Sequence, residues 1–261
     1  MLLGLDSTFV VAFAFVVLVA GAVNGLAGFG FALVGTMALA TTIDPATAVV
    51  FMIAPIIAVN LSLVRDLSTD QLRTCGQRFA PLTLAALVGT VVGLVVLDSV
   101  PTQPLKISLG VVTLAYVTTT QNVVTVPGRD RVREGCFVES APAMAGVGAV
   151  SGLLFGGTNV GVQLIAYLRS CDLPQGLFVG VVAMVFLGLN GVRVGVAGLL
   201  GLYPSTAVAG ASVAAAVPAV VGVAVGKRLR KTLNKRLRQV VVLGVLTVIG
   251  ARLVLAGFGI A

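Results

Sequence analysis

Eight apolar runs, at 8–40, 46–64, 79–97, 104–120, 140–168, 174–202, 205–225 and 239–258, fill most of this 261-residue chain. A helix needs roughly 20 apolar residues to cross a bilayer. Within the bilayer every backbone polar group must be satisfied by the chain itself. Runs of this length and number leave one solution, a bundle of membrane-spanning helices. Composition agrees: 58% of residues are hydrophobic and 10% charged, where a soluble domain carries roughly 25% charged residues. The expected fold class is an all-α polytopic membrane protein with no soluble domain.

Six runs have the length of a single span, with tilt where they are long. The first and fifth are too long for one straight span. Each carries near its centre the same phrase, GAVNGL at 21–26 and GAVSGL at 148–153, followed by further glycines. A polar, glycine-rich break inside an over-long run predicts two helical legs joined by an irregular turn. A membrane tolerates such backbone only where protein or a water-filled cavity covers it. The chain begins MLLGLDSTFVV, with an aspartate and without the basic residues of a signal peptide, so the first run is expected to be retained.

Charge between the runs assigns sides, because Lys and Arg concentrate on the cytoplasmic face. The basic loops are 65–78 (Arg65, Arg73, Arg78), 121–139 (Arg129, Arg131, Arg133) and 226–239 (Lys227, Arg228, Arg230, Lys231, Lys235, Arg236, Arg238). Two single spans separate the first from the second. Three runs separate the second from the third, so the most basic loop is cytoplasmic only if 140–168 enters and leaves by one face. The same reading of 8–40 puts both termini outside, with Asp6, Asp44 and Asp98; Lys106 and Arg252 are the exceptions. Cys75, Cys136 and Cys171 then all fall on the cytoplasmic side, where thiols stay reduced, although they took no part in the assignment.

The chain thus divides into an N-terminal repeat at 1–122 (hairpin 8–40, spans 46–64, 79–97 and 104–120), a cytoplasmic linker at 123–139, and a C-terminal repeat at 140–261 (hairpin 140–168, spans 174–202, 205–225 and 239–258). Three spans per half invert the second repeat relative to the first. The expectation is two inverted repeats, each a re-entrant helical hairpin plus three transmembrane helices, multi-pass in the cell membrane. Interrupted helices in corresponding positions of inverted repeats point to a transporter's midplane site.

Arg193 is the strongest candidate, mid-run in MVFLGLNGVRVGVAGLL. A charge at the bilayer centre costs ~2.5–3.5 kcal/mol on insertion scales and needs a partner or a watery cavity. Its planar donor fork suits an oxyanion; the alternative is neutralisation by backbone carbonyls or a loop carboxylate. Asn24, Ser151, Thr158, Asn159 and Gln163 surround the two hairpin tips with Gly28, Gly30, Gly156 and Gly157. Helix N-termini leave N–H groups free, and glycine lets an anion approach them. The alternative for these glycines is helix packing, which is the preferred reading for Gly89, Gly93 and Gly244. Asn60 and Asn190 correspond in the two halves. Asn60 leans to an interhelical hydrogen bond and Asn190, one turn from Arg193, to substrate.

Other chemistries lack parts. With no histidine and three cysteines, no metal site or disulfide framework is readable, and no cofactor is implied. No P-loop occurs, and paired acids in one span or a nucleophile motif are missing, which leaves an enzyme almost no parts to work with, so none is expected. The net charge of +8 sits between spans, where topology explains it better than nucleic acid does. The basic stretch GKRLRKTLNKRLRQ could also hold anionic lipid headgroups. The leading function is a secondary transporter or facilitator of a small oxyanion. An anion channel or a non-transporting membrane protein is the alternative, and homo-oligomerisation is open.

The two glycine-rich segments, the even halves, and FLGLNGVR at 186–193 resemble the sulfite exporter TauE/SafE family over nearly the whole chain. The resemblance implies movement of sulfite, an organosulfonate or a related sulfur-containing anion, in the direction of export. Where such proteins often have a Gly-Gly-Pro-like run, this chain reads Gly156-Gly157-Thr158-Asn159-Val160-Gly161-Val162-Gln163.

Overall fold

The computed structural model describes residues 7–27, 30–65, 67–97, 99, 101–120, 140–171, 173–233 and 235–259. Gly28, Cys136 and the expected linker at 123–139 lie outside the described residues. Every regular element among those described is a helix: α1 (Ser7–Ala27), α2 (Phe31–Ala40), α3 (Pro45–Phe51), α4 (Ile53–Val64), α5 (Thr69–Arg78), α6 (Ala80–Leu97), α7 (Thr102–Thr120), α8 (Ala141–Thr158), α9 (Val162–Ser170), α10 (Gln175–Leu199), α11 (Thr206–Ala214), α12 (Ala216–Thr232) and α13 (Lys235–Gly257).

Five stretches are long and apolar enough to cross a membrane: Pro45–Val64, Ala80–Leu97, Ala141–Thr158, Gly176–Leu199 and Thr206–Thr232. Val11–Leu26, Phe31–Ala40 and Leu243–Gly257 are shorter apolar helices. Leu84, Val88 and Val92 of α6 face outward, as do Val217, Val221 and Val225 of α12. Water-facing surfaces rarely gather apolar area this way, whereas lipid solvates it. The chain is an all-helical, multi-pass membrane protein.

Proline breaks two of the crossing stretches. Pro55 has no N–H to offer the Phe51 carbonyl four residues back, and the helix is interrupted at Met52. The orphaned oxygen accepts from Ser212 Oγ at 2.6 Å, which ties α11 to the kink. Pro218 stands in the same relation to Ala214, and the break between α11 and α12 falls at Ala215.

Three details differ from the sequence reading. GAVNGL and GAVSGL are helical throughout, and their helices end only later, at Ala27 and Thr158. The stretch 65–78 contains α5, opened by a capping box in which Ser68 Oγ accepts from the Gln71 N–H and Gln71 Oε1 from the Ser68 N–H. The basic stretch 226–239 is mostly helix rather than loop: α12 runs to Thr232 and α13 starts at Lys235. Lys, Arg and Leu are good helix formers, and no glycine or proline follows Gly226 to stop α12 earlier.

The glycines of the repeated phrase face helices from the opposite half. A Cβ at Gly25 of α1 would stand 2.4 Å from the Val223 carbonyl oxygen of α12, and one at Gly152 of α8 would stand 2.1 Å from the Ala86 oxygen of α6. Lipid supplies no hydrophobic drive between helices, so close backbone approach and dispersion hold such pairs. Gly89 and Gly93 return the contact from α6, while Gly244, read as a packing glycine, meets no neighbour within reach. Besides α1 with α12 and α8 with α6, α4 packs on α10 and α7 on α13. Buried apolar side chains form two clusters, one centred on α1 to α4 with α12 and α13, the other on α5, α6, α8, α9 and α10.

Candidate functional site

Between those clusters two helices begin without a side-chain cap from their own N-cap residue. α2 starts after Gly30, at φ 100°, and α9 starts after Gly161. For α2 the cap comes from α1, where Asn24 Oδ1 accepts the Phe31 N–H at 3.2 Å. Both starts open on one cavity of about 50 Å³ lined by Asn24, Gly30, Phe31, Asn60, Asn159 and Gly161, with apolar walls from α4 and α10 that include Val59, Val182 and Phe186. The first N–H groups of a helix lack intrahelical partners and carry the positive end of its dipole. Two such ends facing one space favour an anion in it. Asn60, 8% exposed, reaches this cavity with no hydrogen-bond partner among the described residues.

Arg193 lies behind Asn159, fully buried. Its own helix positions it: Asn190 Nδ2 donates to the Phe186 carbonyl at 2.8 Å, which turns Asn190 Oδ1 toward Arg193 Nη1 at 3.0 Å. Nη1 also donates to Asn159 Oδ1, and Nη2 donates to the Gly156 carbonyl at 3.2 Å. The guanidinium carbon sits 5.0 Å from the centroid of the Phe155 ring, and Nε has no partner. None of these partners is an acid. A full positive charge is therefore held by amide and carbonyl dipoles and the face of a ring. Its field reaches the turn after α10: burial pushes the Tyr203 phenol upward, and Ser212 and Arg193 oppose that push.

Asn159 joins the two parts of the site. It is the one non-glycine residue with positive φ among those described, at 58°, a conformation asparagine tolerates. Its Nδ2 donates to Thr36 Oγ1 at 2.7 Å and to the Val49 carbonyl at 3.0 Å. One side chain thus links the end of α8 to α2, α3 and α10. Gly161, two residues on, has its Cα against Phe186, where a Cβ would stand 2.3 Å from the ring.

Asn24, Gly30, Asn60 and Asn159, all sequence candidates, line the cavity, and Asn190, Arg193 and the Gly156 carbonyl form the charged cluster behind it. The other candidates stand elsewhere. Gly157 packs toward Gly93 of α6. Thr158 Oγ1 donates to the Leu154 carbonyl and accepts the Val160 N–H at 3.1 Å, closing the end of α8. Ser151 and Gln163 are not among the cavity's lining residues, and each has a buried oxygen without a partner. Thr36, Phe155 and the Val49 carbonyl belong to the site without having been sequence candidates. Thr36 carries a signal, as the one hydroxyl in FALVGTMALA. Nothing local marks Phe155 or a backbone carbonyl.

No curated protein and no solved structure matches the chain. A model of the sulfite exporter TauE/SafE family does, over residues 13–253. That span runs from α1 into α13 and takes in both helix starts, the cavity and the buried arginine. The chain belongs to the sulfite exporter TauE/SafE family.

Proposed function

We propose that the protein is a secondary transporter or facilitator that exports a small oxyanion, such as sulfite, an organosulfonate or a related sulfur-containing anion, through this cavity at the membrane midplane. One observation carries the reading. The starts of α2 and α9 converge with Asn24 and Asn60 on one space, backed by a buried cation that no acid neutralises. At about 50 Å³, against a water's ~30 Å³ share of the liquid, the space admits only a small ligand. Asn24, Asn60 and the helix starts touch the anion, and Gly30 leaves the approach clear. Asn190, Asn159 and Gly156 hold Arg193, whose charge acts on the anion from behind Asn159.

The frame we propose is a pair of inverted repeats, 1–122 and 140–261, with re-entrant first segments and both termini outside. The pairing of helices supports it. α1 and α8 are corresponding elements, as are α12 and α6, and each partners the other half's counterpart; α4 with α10 and α7 with α13 are like with like. Inverted repeats produce this exchange. With no P-loop in the sequence, the driving force is a gradient, and the membrane potential supplies ~2.3 kcal/mol per charge per 100 mV.

Purified protein in liposomes, challenged with sulfite, thiosulfate, sulfoacetate and taurine, tests the proposal. Saturable flux with counterflow is expected for at least one of them. Arg193→Gln should lose roughly ten- to a hundred-fold in affinity, and Arg193→Lys should recover only part of it, because lysine lacks the planar fork. Flux without saturation or counterflow would make the protein a channel. Wild-type affinity in Arg193→Gln would move the anion site away from this cluster.

A further inference from the structure

We propose that the cleft between α1, α2 and α13 is a phospholipid site, which takes an acyl chain along its apolar walls and the phosphate of an anionic headgroup at Arg252. Such a site depends on the membrane class of the chain and not on what the chain transports. The cleft measures about 360 Å³, with walls from Phe13 and Val16 of α1, Leu39 of α2, and Val248 and Ile249 of α13. An apolar cavity of ~150 Å³ takes a benzene molecule, so this space has room for part of a longer chain. Phe13 is set edge to face against Phe51 of α3, with ring centroids 5.6 Å apart, which holds that wall in place.

The cleft lies near helix ends. Its residues come from the first half of α1, the end of α2 and the second half of α13. Among the described lining residues Arg252 is the one with a charged side chain, and it is exposed. It stands five residues before Gly257, the last of α13, or ~8 Å along the axis. From there a long side chain brings its guanidinium to the headgroups while its stem stays on the apolar wall. Arg252 is also one of the two cations that depart from the sidedness expected of the chain, so that rule gives it no role. The threonine hydroxyls of the cleft are engaged: those of Thr41 and Thr42 donate to the Ala38 and Leu39 carbonyls at 2.7 and 3.0 Å. Asp44, just beyond them, accepts from Thr47 at the start of α3 and is not among the lining residues. One cation at an apolar cleft complements one phosphate on an acyl chain, and the planar fork of arginine fits phosphate oxygens. Bulk lipid is as apolar as the cleft, so the chain itself gains little and headgroup charge decides which lipid binds. The occupant is therefore an anionic phospholipid such as phosphatidylglycerol. Seated there, it braces the far end of α2, whose start lines the inner cavity.

The chain contains no tryptophan, so a single introduced one reports on its own surroundings. The full chain carries Val248→Trp in the cleft, with Phe13→Trp as a second reporter and Val217→Trp on the outward face of α12 as the reference. Each is reconstituted in vesicles of phosphatidylcholine and phosphatidylglycerol in which one lipid or the other is brominated in its acyl chains. Quenching then reads contact with a lipid chain, which a free anion cannot give. We expect phosphatidylglycerol to be favoured about five-fold in the cleft, the scale of one arginine beside an anionic lipid, and about one-fold at Val217→Trp. Adding Arg252→Gln should bring the cleft to about one-fold, and Arg252→Lys, which keeps the charge, should retain most of the preference. Equal preference in the cleft and at Val217→Trp, or a cleft preference that Arg252→Gln keeps, overturns the proposal. So does a cleft that neither lipid quenches while Val217→Trp is quenched, which would mean that protein, such as a second copy of the chain, covers it. Failure here leaves the transporter reading intact, since that stands or falls on flux.

Discussion

The two helix interruptions follow nearly the same phrase and are built by different means. At the first, α1 gives way to α2 through Gly30, at φ 100°, with no atom within 4 Å of where a Cβ would stand. Asn24 reaches forward seven residues to cap the new helix. At the second, α8 gives way to α9 through Asn159, also left-handed, whose amide is bonded to Thr36, Val49 and Arg193, and Gly161 is pressed against Phe186. The first turn combines backbone freedom at Gly30, in open space, with a single cap from Asn24. The second is specified by side-chain bonds that also hold a buried charge. Of the phrase only Asn24 takes part in a turn, the first; its glycines pack α1 and α8 onto their partners.

Substitutions can break this comparison at three levels. The largest effect belongs to the shared feature. Gly152→Leu on α8 and Gly25→Leu on α1 each drive a side chain into partner backbone, at 2.1 Å and 2.4 Å for the Cβ alone. Backbone cannot yield as a flexible side chain does, so both should fail to give monodisperse protein on size exclusion. The overpacking cost is at or beyond ~3 kcal/mol. A normal elution profile for Gly152→Leu would mean that α6 and α8 do not approach as described.

Next comes the second turn. Asn159→Ala loses the amide bonds to Thr36, Val49 and Arg193 and places alanine at φ 58°. Losing the charged contact costs ~1.5–3 kcal/mol and the left-handed backbone ~1–2 kcal/mol more. At ~2–4 °C per kcal/mol for a chain of this size, Tm should fall by roughly 10 °C. Asn159→Gly keeps the backbone at ease and loses only the bonds, so it should melt a few degrees above Asn159→Ala. Equal Tm values for the two would show that the conformation carries no cost at this turn.

The smallest effect belongs to the first turn. Gly30→Ala meets open space, so only its φ is penalised, by ~1–2 kcal/mol, a Tm loss of a few degrees. Gly30→Asn should recover most of it, because asparagine visits this region. Were Gly30→Ala as damaging as Asn159→Ala, the first turn too would depend on contacts, and the contrast between the turns would dissolve.

Some of the site was readable before any packing was known. Asn190 and Arg193 lie three apart in a long apolar run, which puts them on one helix face wherever that helix goes. Asn24, Gly30 and Asn159 sit beside the glycine-rich segments, so their proximity to interrupted helices was legible from order alone. Two readings needed the fold. The glycines of GAVNGL and GAVSGL looked like breaks and serve as contact surfaces, because a small residue permits either use and only the partner's position selects between them. Arg193 read as a residue that meets substrate, and its donors turn out to be occupied by Asn159, Asn190 and Gly156, with the cavity on the far side of Asn159.

The sequence by itself determined the membrane class and the approximate positions of the apolar segments, because in lipid each helix must satisfy its own backbone and be apolar along its length. It determined the candidate polar residues too, since few reasons exist for an arginine or asparagine to stand inside such a run. The tertiary structure decided which residues meet. Asn159 and Thr36 are 123 residues apart, and Gly25 lies against the backbone of Val223 and Lys227, about 200 residues further on. Helix periodicity names a face and not its partner. Between apolar helices in lipid, the partner is chosen by the fit of small residues and backbone at close range, a property of two distant segments together and of neither alone.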